Sequence, residues 1–159
     1  MNRVLLKKFN SYRLSKGLDT LVYSQVSFDS LSFKNCVEVA NSGKFYHPSI
    51  TERWKKQPIR ESIVNESKNK VGGDVIRHST GLPWLETWEN AFRVNGYFKT
   101  YEEIADLAIK SWENSPSHNR VQNLDFESGG LPGFFSCHSV YTKEGYLYIY
   151  INFVKVHRL

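Results

Sequence analysis

Tyr146-Leu147-Tyr148-Ile149-Tyr150-Ile151-Asn152-Phe153 decides the fold class. Tyr146, Tyr148, Tyr150 and Asn152 alternate with Leu147, Ile149, Ile151 and Phe153, which is the period of a strand with one aromatic and one aliphatic face. Neither face is fully polar, and a strand apolar on both sides is covered on both sides. Just upstream, Phe134 to Tyr141 predicts a partner strand, entered through Gly129-Gly130-Leu131-Pro132-Gly133 and joined by the hairpin loop Thr142-Lys143-Glu144-Gly145. Helical patterns precede the hairpin. The expected fold is therefore α+β, a three-layer α-β-α sandwich with a central antiparallel sheet.

Those helical patterns begin near the N-terminus, where Leu5, Phe9 and Tyr12 are helically spaced before Gly17. A second helix is expected from Asp29 or Ser30 to Asn41, with Phe33, Cys36, Val37 and Ala40 in one stripe and Gly43 as its stop. Thr100-Tyr101-Glu102-Glu103 reads as a capping box that opens a third helix, directing Ile104, Leu107, Ala108 and Ser111-Trp112 inward until Pro116. Trp84, Trp88 and Trp112 also sit at helical core spacing. Residues 48–83 are broken by Pro48, Pro58, Gly72-Gly73 and Gly81-Leu82-Pro83. They read as an irregular, insertion-like segment holding a short helix or strand, within one domain spanning 1–159.

A chain of 159 residues buries roughly 70% of its extended surface without any staple. With 10 Phe, 9 Tyr and 4 Trp, aromatic packing dominates that interior. The net charge of +5 is spread among acids, as in Glu52-Arg53 and Arg60-Glu61, and this lacks the concentrated basic face of a nucleic-acid binder. No apolar run is long enough for a membrane span. Cys36 and Cys137 have no metal or redox spacing; they form either one bridge or two buried thiols.

From Trp88-Glu89-Asn90-Ala91 to Trp112-Glu113-Asn114-Ser115-Pro116-Ser117-His118, the chain resembles the core of the CAP superfamily (cysteine-rich secretory, antigen 5 and pathogenesis-related proteins) in its bacterial form. There a Gly-Glu-Asn-Ile-Ala-like segment precedes a helix ending in Trp-x-x-Ser-Pro-x-His. Asn10-Ser11-Tyr12-Arg13 with Gly17-Leu18 is similar to the first helix of that family, and Phe45-Tyr46-His47 to its aromatic-Ser-His segment. The resemblance implies the same α-β-α sandwich, export from the cytoplasm, and a central cleft where two histidines flank a glutamate. No signal peptide is present, so a mature chain without its leader is expected.

Carried over residue by residue, the cleft residues are His47, Glu89 and His118. His78, in Arg77-His78-Ser79-Thr80, competes with His47: position after the second helix favours His47, and its interval before Glu89 favours His78. His118 falls in the first turn of a short helix after Ser115-Pro116, where the positive end of the helix favours neutral imidazole, the metal-binding form. Eukaryotic members carry a further Glu where this chain has Ser115, which implies a reduced His-Glu-His set. His138 reads as a satisfied sheet residue and His157 as a solvated tail residue.

Three functions are compatible with this pattern. One is a non-enzymatic binding module whose cleft takes a small apolar ligand, a polymer or a protein, with weak zinc binding by His47 (or His78) and His118. A second is a zinc-dependent hydrolase with Glu89 as general base. A third uses segment 48–83 as an interaction surface. Without Gly-x-Ser-x-Gly, a serine hydrolase of the nucleophile-elbow type is a poor fit.

Overall fold

The computed structural model describes residues 1–47, 53–98 and 100–159. Helix α1 (Asn2–Ser15) leads into the two-residue strand β1 (Val22–Tyr23). A continuous helical run follows, made of α2 (Gln25–Ser27), a π-helical turn (Phe28–Ser32) and α3 (Phe33–Ser42). Then come α4 (Gln57–Val71), β2 (Leu85–Asn95), α5 (Tyr101–Glu113), α6 (Pro116–Gln122), β3 (Phe134–Tyr141) and β4 (Tyr146–Val156).

The four strands are ordered β1-β3-β4-β2. Strand β4 pairs antiparallel with both β2 and β3, whereas β1 runs parallel to β3. The sheet is therefore mixed, and the wholly antiparallel expectation is corrected at this edge. More than a hundred residues of helix and strand separate β1 from β3, so no hairpin imposes an antiparallel direction on the pair.

Alternation in β4 works as its residues demand. Leu147, Ile149, Ile151 and Phe153 pack with Leu5 and Phe9 of α1 and with Ile104, Ala105, Ala108 and Trp112 of α5. Phe153 lies 5.2 Å from the rings of both Phe9 and Phe126. On the opposite face, Tyr148 and Tyr150 meet Cys36 and Val39 of α3, while Val154 and Val156 meet Leu31, Ile63 and Val64. The cysteines belong to these different clusters, and both are free, buried thiols. Burial pushes the Cys36 thiol up to about 12.

Several local readings shift. The second helix starts at Gln25, well before Asp29, because its N-terminus is closed by Ser24 Oγ, which accepts from Ser27 N–H, and by the Glu66 carboxylate, which accepts from Gln25 N–H at 2.7 Å. That partner is 41 residues away in sequence. The π turn adds a residue per turn and rotates the stripe, so Leu31, Ser32, Asn35, Cys36 and Val39 are buried and Phe33 is exposed. Gly43 ends α3 at φ 66°, a left-handed conformation that glycine adopts without strain. The capping box forms as expected, but Leu107 faces outward while Ala105 and Ile109 face in.

Segment 48–83 is more regular than its breakers suggest. Residues 48–52 lie outside the described residues, but α4 supplies 15 helical residues, opened by Pro58 in its first turn. Arg158 donates to Ser67 and Arg60 to the Pro83 carbonyl, tying α4 to β4's end and to β2's approach. Trp84 and Trp88 are not helical: Trp88 lies in β2 against Phe126, and Trp84, just before β2, is exposed and stacked on His157. The apolar spacing there is shared by a strand whose two faces are both partly covered.

Candidate functional site

Glu89 sits on β2 directly opposite Asn152 of β4, which is opposite Ser136 of β3. Cross-strand partners share a face, so the three form one polar row on the side covered by the α2–α3 run. The π turn brings Ser32 over this row, and α3 brings Asn35. Ser136 Oγ lies 2.7 Å from Ser27 Oγ and 2.8 Å from Ser32 Oγ, and Ser32 donates to Asn152 Oδ1 at 2.8 Å. The Asn152 amide donates to Glu89 Oε2 at 3.2 Å, and the Asn35 amide donates to the same oxygen at 2.7 Å. Ser27, Ser32, Asn35, Ser136 and Asn152 are fully buried. A half-satisfied network here would be costly; this one gives nearly every polar atom a partner.

The other carboxylate oxygen belongs to a histidine. After Gly43 the chain crosses the β4 tyrosines: Phe45 packs 6.0 and 6.3 Å from the rings of Tyr148 and Tyr150, and the Tyr150 hydroxyl donates to the Tyr46 carbonyl. This strap places His47 Nδ1 2.7 Å from Glu89 Oε1. The Glu89 side chain is 2% exposed and that of His47 51% exposed, so the imidazole is the solvent-facing end of a buried chain of hydrogen bonds. At the rim, Arg53 donates to Asn35 Oδ1 and pairs with Glu38, which accepts from the Tyr46 hydroxyl at 2.9 Å.

His118 arrives from the other side, because α5 and α6 cover the outer edge of β2. The Trp112 indole donates to the Ala91 carbonyl at 2.9 Å, and the Asn90 amide donates to the His118 carbonyl at 3.1 Å. The Trp112 bond also satisfies a main-chain carbonyl of an edge strand. The His118 and His47 rings are 6.3 Å apart. Ser115 precedes α6 as its cap, yet its hydroxyl makes no cap bond; it lies 2.8 Å from His118 Nδ1 instead. Ser115 thus orients the imidazole and does not cap the helix.

The two histidines titrate in opposite directions. The hydrogen bond to Glu89, helped by its charge, raises His47 despite partial burial. Burial lowers His118, and the nearby His47 charge lowers it further. Helix position alone predicts a neutral His118, but desolvation is the larger cause. The pair is therefore asymmetric: Glu89 biases His47 towards imidazolium, and burial biases His118 towards neutral imidazole.

His78 does not join this group. Its loop is closed by hydrogen bonds from His78 N–H to the Leu82 carbonyl and from Gly81 N–H to the His78 carbonyl, and its ring lies 5.5 Å from Trp84. Trp84 and the start of β2 separate it from Glu89, so sequence interval to the glutamate is a poor guide to space. His157 is not solvated: Nε2 lies 2.6 Å from Glu86, and the ring stacks 4.7 Å from Trp84. His138 packs edge-on against Phe33 and Phe28. Sequence reasoning missed Ser32, Asn35, Arg53 and Ser136; Asn152 carried a readable signal, as the one amide ending a run of alternating tyrosines.

Among the described residues, no group of three or more His, Cys, Asp or Glu side chains is placed to hold a metal ion. His47 and His118 offer two imidazoles, and both oxygens of Glu89 are already engaged. Catalytic zinc takes three protein ligands and an open position. This set does not fit that requirement.

No protein-family model matches the chain, and no curated protein matches it. Among solved structures it is similar to an outer surface protein from Borrelia burgdorferi, with a TM-score of 0.57 and 10% identity, covering 97% of this chain and 91% of that one. Such a likeness shows the fold, an α+β arrangement around a four-stranded mixed sheet. Among the described residues, no helix is long and apolar enough to cross a membrane.

Proposed function

We propose that the chain is an exported, non-enzymatic binding module of CAP type, a three-layer α-β-α sandwich whose His47–Glu89–His118 cleft receives a ligand or partner. Helical cover on both sheet faces and the fold likeness to an outer surface protein support this reading. The observation that carries it is the engagement of both Glu89 oxygens. His47 holds one oxygen, and two buried amides hold the other. A general base needs an oxygen able to reach the proton it removes, whereas this carboxylate is committed to orienting an imidazole, as such partners do behind functional histidines. The exposed half of His47 and the oriented ring of His118 are then contact groups for a small apolar ligand, a polymer or a protein.

Calorimetric titration with Zn²⁺ near pH 7.5, paired with ester and peptide hydrolysis assays, tests the reading. We expect no saturable binding at micromolar metal and no turnover that depends on His118. Tight zinc binding, with hydrolysis abolished in both His118→Ala and Glu89→Gln, overturns the module in favour of a zinc hydrolase.

A further inference from the structure

Four residues along β2 from Glu89, on the same face and about 13 Å away by strand rise, stands Arg93. It lies opposite Tyr148 in the β2–β4 ladder. Its guanidinium is clamped between two rings, 5.4 Å from the centroid of Phe45 and 5.4 Å from that of Tyr146. Contacts of this kind hold the guanidinium over the rings and leave its N–H groups open to a partner. Among the described residues, the exposed Arg93 side chain makes no hydrogen bond and no ion pair.

Arg93 lines a cavity of about 390 Å³ together with Tyr146, Tyr148 and the end of α3 at Ser42 and Gly43. Tyr148 is only 2% exposed overall, and its hydroxyl, which has no hydrogen-bond partner among the described residues, keeps access to solvent. Glu144 shares the wall and makes no ion pair with Arg93 among the described residues; its own backbone N–H and the Thr142 hydroxyl hold its carboxylate below the usual range, so it stays charged and limits how tightly an anion is held.

We propose that this cavity is an oxyanion-binding site in which the Arg93 fork and the Tyr148 hydroxyl together hold a carboxylate or a phosphate. Planar bidentate recognition of either group is what an oriented, uncommitted arginine supplies. The strap Lys44–His47 separates this site from the imidazole pair, with Phe45 against Arg93 and His47 against Glu89. The site stands whether or not the cleft reading holds.

The test is a ¹H–¹⁵N NMR titration, recording the Arg93 side-chain Nε–H and the Gly43 amide, with inorganic phosphate in one arm and acetate in the other, at ionic strength held constant with sodium chloride. Saturable shifts at both probes are expected, and the arm that saturates at lower concentration identifies the group. Arg93→Gln is expected to abolish saturation, and Tyr148→Phe to weaken it several-fold with the remaining spectrum unchanged. Shifts that stay linear in both anions, or that persist unchanged in Arg93→Gln or in Tyr148→Phe, overturn the site.

Discussion

The two faces of β4 are built from one alternating sequence and do different jobs. Towards α1 and α5, Leu147, Ile149, Ile151 and Phe153 lie in a dry cluster with Phe9, Phe126 and Trp112. Towards the α2–α3 run, Tyr148 and Tyr150 give way to Asn152, and a row of buried hydroxyls and amides leads to Glu89 and His47. Burial is complete on both sides, with Asn152 and Phe153 each at zero exposure. The first face derives its stability from area and close packing. The second adds to its apolar clusters a row of directional bonds, each of which fails expensively when one partner is removed.

Phe153→Ala should therefore produce the largest loss, about 3–5 kcal/mol for an aromatic side chain in a packed cluster. Urea unfolding measures it, and the same variant should leave the titration of His47 unmoved. Asn152→Ala should cost less, about 1–3 kcal/mol for the buried partners it strands, but it should lower the His47 titration seen by imidazole NMR, since Glu89 loses a bond that holds it in place. The contrast breaks if Phe153→Ala shifts His47, or if Asn152→Ala does not.

Thr100→Ala probes the dry face from its margin. It removes the acceptor for Glu103 N–H at the start of α5, with an expected cost of about 1 kcal/mol. Thermal unfolding should show this loss with the His47 and His118 titrations intact. A larger loss would mean that the capping box also sets how α5 seats on the sheet.

The dry face is legible in the sequence and the polar face only in part, for a physical reason. Period-2 alternation and the Thr100–Glu103 box are local patterns, so β3, β4 and α5 can be read from neighbouring residues. The polar row is assembled from Ser27, Ser32, Asn35, Glu89, Ser136 and Asn152, which share no local pattern and meet only because of sheet register and one π turn. A π turn has no residue signature of its own, so helical spacing alone places Phe33 inside the α3 stripe when it lies outside. Glu89 and His118 stand out through motif resemblance, and the choice of His47 over His78 follows chain order, which topology respects better than sequence interval. The parallel pairing of β1 is unreadable, since two residues carry no periodicity.

The smallest effect is the most diagnostic of the polar face, because the two histidines should act on stability with opposite signs. His47 titrates higher in the folded chain than its ordinary value of about 6.5. Its contribution is therefore full below pH about 6.5 and lost as pH rises through the raised folded value. His118 is lowered: its contribution is full above pH about 6.5 and lost as pH falls through the folded value. Melting temperatures of wild type, His47→Ala and His118→Ala from pH 5 to 9 separate the two. The gap between wild type and His47→Ala should narrow towards alkaline pH, and the gap to His118→Ala should narrow towards acid. Burial also lowers His138, but it is present in all three proteins and cancels in the differences. Because the His47 charge is one cause of the His118 shift, His118 should titrate higher in His47→Ala. Parallel gaps, or a His118 titration indifferent to His47, would mean that the two rings do not share one electrostatic site and that only the His47 half belongs to the buried row.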